Sequence, residues 1–325
     1  NDCWEDNDGT TIVYLGDRIN YNNKNIVDWI GFYGQGEYKT DQMTIFGMAG
    51  WSTIKYGHEN YFKSTTGGPD GDIVRIESDN LDGFQVKTGV LYSFTDELDG
   101  YANLGFFDKQ PIVDGALNDN SSTLNPDPLN EQITSAEIGL NFSDDDGIWA
   151  VDANVYYTKW EDRTVTRGIE IAPGVDGLAS FDGLNQRHMG VEIEGTYMPI
   201  RELRFDAALS VGNWEYTDDV QGSVFNYDNS EEVEVNFYTR DLKVGDAPMR
   251  QVMLQSTYMP FDGFSLNVVA RWNGEMYAEF DPESRTNPND RVQSWETPSY
   301  WHWDLHLNWR TAIDTPWAPL DVTFF

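Results

Sequence analysis

Residues 300–309 read YWHWDLHLNW, and apolar and polar side chains alternate from Trp301 to Trp309. The apolar set is Trp301, Trp303, Leu305, Leu307 and Trp309, and the polar set between them is His302, Asp304, His306 and Asn308. Successive side chains of a β-strand point to opposite faces, so this period of two predicts a strand with one apolar and one polar face. The same alternation recurs in 148–158, 203–212 and 264–272, and it predicts an all-β chain.

The alternation predicts about twelve strands, joined in sequence order into an antiparallel sheet. Their predicted bounds are 25–38, 42–56, 83–95, 100–108, 131–143, 147–159, 188–198, 202–216, 248–259, 263–276, 298–311 and 319 to the end. Short turns alternate with long connections, and the long connections are 57–82, 109–130, 160–187, 217–247 and 277–297. Outer-membrane barrels have short periplasmic turns and long extracellular loops, so the pattern favours an up-and-down transmembrane β-barrel.

The composition excludes several classes of protein. A hydrophobic share of 39% and an aromatic share of 14% in 325 residues are too high for a disordered chain. The formal net charge of −34 would repel the phosphates of nucleic acid, so no nucleic-acid partner is expected. No apolar run approaches the length of about 20 residues that a transmembrane helix needs, although a β-barrel needs no such run.

Aromatic residues stand near both ends of the apolar strand faces. Trp149 and Tyr157 share one face, and Trp301 and Trp309 share another. In a tilted strand each pair would span roughly 19 Å, close to the band of about 25 Å between the aromatic girdles of outer-membrane barrels. A secreted β-sandwich or propeller is the alternative fold, but no internal repeat supports a propeller.

Short stretches spread along the chain occur in a characteristic order and spacing. They are Asn130-Glu131 with Ala136-Glu137-Ile138-Gly139, YYTKWEDRT at 156–164, Gly183-Leu184-Asn185 with HMGVE at 188–192, YAEFDPESRT at 277–286, and Asp304-Leu305-His306. Together they resemble the C-terminal barrel half of TonB-dependent outer-membrane receptors. The resemblance extends over most of the chain and depends on the ordered set, because no single stretch is a sharp motif.

The resemblance implies a TonB-dependent active importer in the outer membrane of a Gram-negative bacterium. Residues 1–325 would then be a partial receptor barrel that lacks the plug domain, the early strands and the last strand of a 22-stranded barrel. The implied partners are the plug domain, the remaining barrel strands, the TonB system acting through the plug, a small extracellular ligand and outer-membrane lipid. The resemblance implies no cofactor.

The predicted strand directions allow a candidate ligand surface to be named. Residues near the outer ends of strands and on the polar face are expected to line a common vestibule, and they are Tyr156, His188, Trp214, Arg271, Asn273 and His302. Aromatic surfaces offer stacking, while guanidinium, amide and imidazole groups offer directional hydrogen bonds, which is the mixture found in selective pockets. The acidic segment 215–247 is read either as a solvated loop or as a gate that repels anions.

No catalytic or metal-binding residues are predicted. His302, Asp304 and His306 share a face, but His302 and His306 would lie roughly 13 Å apart, too far to hold one zinc ion. The sequence contains neither Gly-x-Ser-x-Gly nor His-Glu-x-x-His. Two alternatives to an importer remain open at this point, a secreted carbohydrate-binding β-protein and an outer-membrane barrel enzyme.

Overall fold

The computed structural model describes residues 23–64, 73–118, 122–226, 232–314 and 319–324. The N-terminal segment with Cys3 lies outside the described residues. The strands are β1 (Asn23–Lys39), β2 (Met43–Ser64), β3 (Ile73–Glu77), β4 (Leu81–Ser93), β5 (Leu98–Lys109), β6 (Leu117–Asn118), β7 (Thr123–Leu124), β8 (Glu131–Ser143), β9 (Trp149–Ala172), β10 (Val175–Ile200), β11 (Leu203–Tyr216), β12 (Val220–Asn226), β13 (Glu232–Phe237), β14 (Pro248–Tyr258), β15 (Phe264–Tyr277), β16 (Glu296–Thr297), β17 (Tyr300–Asp314) and β18 (Pro319–Phe324). One α-helical turn, α1 (Val113–Ala116), and one 3-10 turn, Pro282–Arg285, complete the elements.

Twelve strands form the main path of a 16-stranded antiparallel sheet, and their lateral order follows the sequence. The order is β1-β2-β4-β5-β8-β9-β10-β11-β14-β15-β17-β18, which confirms the predicted up-and-down arrangement. Within the described residues, β1 pairs on the main path with β2 alone and β18 pairs with β17 alone, so the sheet is open. We call these twelve strands the wall. No helix among the described residues has both the length and the apolar character needed to cross a membrane.

The wall has one apolar and one polar face. Direct cross-strand partners share a face, and one such row on the apolar face runs Leu140, Ala153, Ile193, Leu209 and Val252. The apolar side chains are exposed over much of this face, with Ile138 62% and Leu305 70% accessible. Such a continuous apolar surface is typical of a protein that contacts lipid.

Aromatic rings mark the end of the apolar face at the short turns. Trp149 stacks on Tyr197 with ring centroids 4.0 Å apart, and Tyr197 stacks on Phe205 at 6.4 Å. The three residues stand in one lateral row, because Trp149 pairs with Tyr197 and Tyr197 pairs with Phe205. This row has the position that an interfacial aromatic girdle occupies.

The long connections stand where they are predicted, but the expectation of a loop at 160–187 is wrong. Strands β9 and β10 continue through this segment as a hairpin, which turns at Gly174 with φ +78°. The connection 217–247 likewise contains the hairpin β12–β13, and β12 pairs with the outer part of β10. We call the described residues of 163–184, 217–247 and 277–297 the cap.

A pair of bulges separates the wall part of the β9–β10 hairpin from the cap part. Asp162 has φ +58° and Gly183 has φ +86°, and the register between the strands shifts on both sides of Leu184. An extra residue in a strand turns the following side chains to the other face. The odd-numbered residues Val165 and Phe181 therefore share the side of the sheet that carries even-numbered polar residues in the wall.

The cap has its own apolar core. It consists of Ala179, Phe181, Leu184, Val220, Phe237, Leu242 and Phe280 together with Tyr216 at the outer end of β11, all nearly inaccessible to solvent. The ring of Phe181 lies 4.5 Å from that of Phe237 and 5.8 Å from that of Phe280, so the core joins β10, β13 and the segment after β15. The cap is therefore a folded unit at the end of the wall opposite the short turns.

A smaller cluster covers the outer ends of β2 and β4. Its buried apolar residues are Tyr56, Ala116 and Leu117. The Tyr56 hydroxyl donates to the Pro111 carbonyl at 2.9 Å, and the Tyr56 amide donates to Ser78 Oγ at 2.9 Å. The connections 57–82 and 109–130 are thus held to the wall by tyrosine side-chain and backbone hydrogen bonds.

Candidate functional site

Three of the predicted ligand-facing residues form one contact group beneath the cap. Trp214 Nε1 donates to the Tyr156 hydroxyl at 2.9 Å, and the rings of His188 and Trp214 lie 5.7 Å apart. Trp214 is the direct cross-strand partner of His188, so β9, β10 and β11 each supply one member of the group. All three side chains lie on the polar face of the wall, as the alternation of strand residues predicts.

Gln186 connects this group to the cap. Its side-chain oxygen lies 3.0 Å from His188 Nε2, while its Nε2 atom is buried and has no hydrogen-bond partner within the described structure. Gln186 is the cross-strand partner of Tyr216, whose hydroxyl donates to Glu279 Oε1 at 2.5 Å. An unpaired buried amide N–H costs free energy, so a ligand acceptor that reached Gln186 would relieve that cost.

Arg271 and His302 form a second group with Asp304, and Asn273 lies beside them. Asp304 accepts a charge-assisted hydrogen bond from Arg271 Nη1, and its other oxygen lies 2.9 Å from His302 Nε2. Arg271 pairs with His302 across β15 and β17, and Asn273 pairs with Tyr300. Because Asp304 already neutralises Arg271, this group offers hydrogen bonds more than net positive charge.

The register places all six predicted residues on one face but in two groups. Strand β14 lies between Trp214 on β11 and Arg271 on β15. On the polar face of β14, Gln251 pairs with Asn273 and Met253 pairs with Arg271. No hydrogen bond or ring contact joins the two groups in the described part of the chain. The six residues therefore form two neighbouring polar surfaces, one on β9, β10 and β11 and the other on β15 and β17, with β14 between them.

The acidic segment 215–247 is tied to the segment after β15 by an ion pair. Arg291 donates to both carboxylate oxygens of Asp219, at 2.5 and 2.8 Å, and the Arg240 amide donates to Asp219 at 3.0 Å. The hydrogen bonds from Arg291 lower the pKa of Asp219 to about 2. This segment is thus a hairpin fixed by a bidentate contact rather than a freely solvated loop.

The arrangement can bind a ligand by stacking and by hydrogen bonds. The first surface, beneath the cap, has aromatic, amide and imidazole groups, and the second has guanidinium, amide, imidazole and carboxylate groups. Among the described residues, no three His, Cys, Asp or Glu side chains lie close enough to share a metal ion. The sequence alternation does not identify Gln186, because it predicts a connection at 160–187, whereas β10 extends through this position. The signal in the sequence is the spacing of two residues between Gln186 and His188, which places both on one face of a strand.

Comparison with known proteins gives one family and a set of similar structures. Residues 2–324 match the family described as TonB dependent receptor-like, beta-barrel. A comparison with curated protein sequences found no match. The match to the family extends over nearly the whole chain and includes both contact groups.

Three solved structures show the same fold at low sequence identity. The ferric-catecholate import receptor Fiu of E. coli K12 is 17% identical, with a TM-score of 0.60, over 93% of this chain and 41% of its own. The siderophore receptor PiuA of Acinetobacter baumannii is 14% identical, with a TM-score of 0.62, over 88% of this chain and 37% of its own. The ferric yersiniabactin uptake receptor FyuA of Yersinia pestis is 14% identical, with a TM-score of 0.59, over 93% and 44%. The chain thus spans about two fifths of the length of these receptors.

Proposed function

Because the chain belongs to the family of TonB-dependent receptor β-barrels, we propose that it is the ligand-binding part of the barrel of an active importer in the outer membrane of a Gram-negative bacterium. The observation that carries this proposal is the wall itself. Its exposed apolar face fits lipid, and its opposite face carries two groups of polar and aromatic side chains that fit a lumen.

The open edges of the wall indicate where the rest of the receptor attaches. Strands β1 and β18 each leave one side unpaired within the described residues, and an unpaired strand edge readily accepts another strand. We expect the remaining barrel strands to pair there and a plug domain to contact the polar face. The TonB system would act through that plug, and the barrel would hold the ligand without changing it chemically.

The two alternative functions receive no support from the comparisons. The matched family is described as receptor-like, and the similar structures are named as an import receptor and a siderophore receptor. A secreted carbohydrate-binding protein would have no use for the exposed apolar face of the wall, because such a surface aggregates in water. The apolar face therefore favours an importer.

The test of the proposal uses the complete receptor that contains this chain. Cells with and without the receptor would be compared for uptake of labelled ferric siderophores, cobalamin, peptides and oligosaccharides, with and without proton-motive force. Energy-dependent uptake of one of these compounds, lost with the receptor, is the expected result. Uptake that persists without proton-motive force, or no uptake of any of them, would contradict the proposal.

A pair of substitutions then tests the candidate surface. Trp214→Ala together with Arg271→Ala should lower that uptake at least tenfold, because one residue is removed from each contact group. Phe205→Ala with Leu254→Ala, on the apolar face of the same region, serves as the matched control. Equal uptake by both double variants, at equal receptor levels in the membrane, would show that the two groups do not bind ligand.

A further inference from the structure

A cavity opens among the first strands of the wall, away from both contact groups. Its volume is about 430 Å³, within the range of small-molecule sites. Its lining includes Trp29, Tyr33, Gln85, Phe107, Lys109 and Gln110. Neither the family match nor the similar structures assign a role to these residues in this chain.

The cavity lies on the polar face of the wall. Tyr33 pairs with Gly50, Gly50 with Gln85, and Gln85 with Phe107, so these positions share one face. The same lateral row continues from Phe107 through Ile133 to Trp160, and from Trp160 to Gln186. The cavity is therefore on the same side of the sheet as Tyr156, His188 and Trp214, which is the lumen side in the proposed importer.

The lining of the cavity contains exposed aromatic rings. The indole of Trp29 lies over Gly31, where an added Cβ would stand 2.7 Å from its ring atom Cζ2. Trp29 is 64% and Tyr33 80% accessible, so both rings present broad surfaces to the lumen. Phe107 adds a third ring on β5. Such rings offer flat apolar surfaces on which a ring-shaped ligand can stack.

The lining of the cavity offers amides, hydroxyls and one carboxylate. Gln110 Nε2 donates to Ser52 O at 2.7 Å and to Ser52 Oγ at 2.8 Å, which fixes the Gln110 side chain at the rim. Lys109 is the one cation in the lining, and its Nζ is paired with Glu131 at 3.1 Å.

The charges of the lining favour a neutral ligand over an anionic one. Asp108 adds a carboxylate to the lining, in a chain whose net charge is −34. A further cation, Lys87, is not in the lining and has its Nζ 4.9 Å from the centroid of the Phe107 ring.

We propose that this cavity is a binding site for a neutral, polyhydroxylated ligand, an oligosaccharide, in the lumen of the importer. The apolar C–H faces of a sugar ring stack on Trp29 and Phe107, and its hydroxyls reach the amides of Gln85 and Gln110 and the hydroxyl of Tyr33. The inference rests on the proposed function, since it places the cavity inside a barrel. It also separates this receptor from receptors of anionic iron chelates.

The test is equilibrium binding to the complete purified receptor, measured by isothermal titration calorimetry. The probes are the hexasaccharides maltohexaose, cellohexaose, xylohexaose and chitohexaose, with ferric citrate as the anionic comparison. The detergent has a polyoxyethylene head group, because a maltoside would compete. At least one hexasaccharide is expected to bind, and ferric citrate is not. Failure of all four to bind at millimolar concentration would overturn the proposal, as would tighter binding of ferric citrate.

The variants assign the binding to this cavity. Trp29→Ala should weaken binding roughly tenfold, whereas Trp29→Phe should retain most of it, because a ring remains for stacking. Tyr38→Ala is the matched control, since Tyr38 is an exposed ring on β1 that lies on the opposite face and outside the cavity lining. Equal effects of Trp29→Ala and Tyr38→Ala would overturn the assignment, as would a plug segment that fills the cavity in the complete receptor.

The two proposals fail in different ways. Sugar binding without energy-dependent uptake would contradict the importer and leave the cavity assignment intact. Energy-dependent uptake of another compound, with no binding of any hexasaccharide, would support the importer and overturn the oligosaccharide site.

Discussion

The cap and the wall bury their apolar side chains in opposite ways. In the cap, Phe181 and Leu242 are fully inaccessible within a closed core. In the wall, Trp303 is 66% and Leu305 70% accessible, and no second layer covers them in the described structure. The cap therefore buries its apolar side chains within itself, whereas the wall leaves its own exposed, to contact lipid in the proposed importer.

The largest effect is expected from opening the cap core. Phe181→Ala removes a ring that contacts Phe237 and Phe280, and a substitution of this kind in a core costs about 3–5 kcal/mol. Hydrogen exchange of the cap amides in the complete receptor would measure the lowered free energy of opening. Phe205→Ala in the wall is the matched control and should leave cap exchange unchanged. Equal exchange in both variants would mean that the core does not hold the cap together.

A somewhat smaller effect is expected from placing a charge on the apolar face. Leu209 stands mid-wall between Ile193 and Val252, so Leu209→Arg should destabilise the receptor in vesicles by about 2–4 kcal/mol. Ser210→Arg, one residue further and on the polar face, should cost much less because Glu192 lies within reach of position 210. Urea unfolding in lipid vesicles measures both. A larger loss from Ser210→Arg would reverse the assignment of the two faces.

The smallest effect concerns the ion pair that ties the cap segments together. The pKa of Asp219 is lowered to about 2, below that of an unfolded aspartate, so its contribution is complete above about pH 4 and is lost as the pH falls towards 2. Asp219→Asn should therefore lower cap stability by about 1 kcal/mol or less at pH 7, since both partners are partly exposed.

Thermal unfolding at pH 7 and pH 2 provides the measurement. The difference between Asp219→Asn and the unsubstituted receptor should be present at pH 7 and should shrink at pH 2. Asp145→Asn, in a short turn of the wall, is the control and should show no such dependence. A difference that grows with acidity would mean that Arg291 does not stabilise the charged form of Asp219.

The sequence predicts the wall more fully than the cap, for a physical reason. In the wall, one apolar and one polar face require a strict period of two, so residues such as Trp301 and His302 identify their faces. The order of the strands follows from the lengths of the connections. In the cap, the bulges at Asp162 and Gly183 interrupt the period, and the strand pattern of 160–187 is lost. The buried role of Phe181 depends on contacts with distant segments, which no local pattern reveals.

The sequence predicts which face carries the candidate site, but not which of its residues are in contact. The alternation assigns Tyr156, His188 and Trp214 to one face, because the face of a residue depends only on the period of its own strand. Their contacts depend on the lateral register, which pairs Trp214 with His188 and Arg271 with His302. Register is set by turns and bulges across many residues, so the division into two groups emerges only from the folded sheet.

The bulges at Asp162 and Gly183 also bear on how such a receptor can diversify. At the bulges the following side chains move to the other face of the sheet. The alternation of apolar and polar residues in the wall therefore does not constrain the sequence beyond the bulges. Insertions, deletions and exchanges of the outer hairpin can accumulate without moving a single lipid-facing residue. In the proposed importer, the cap can therefore change in length and sequence while the strands of the wall keep their two faces.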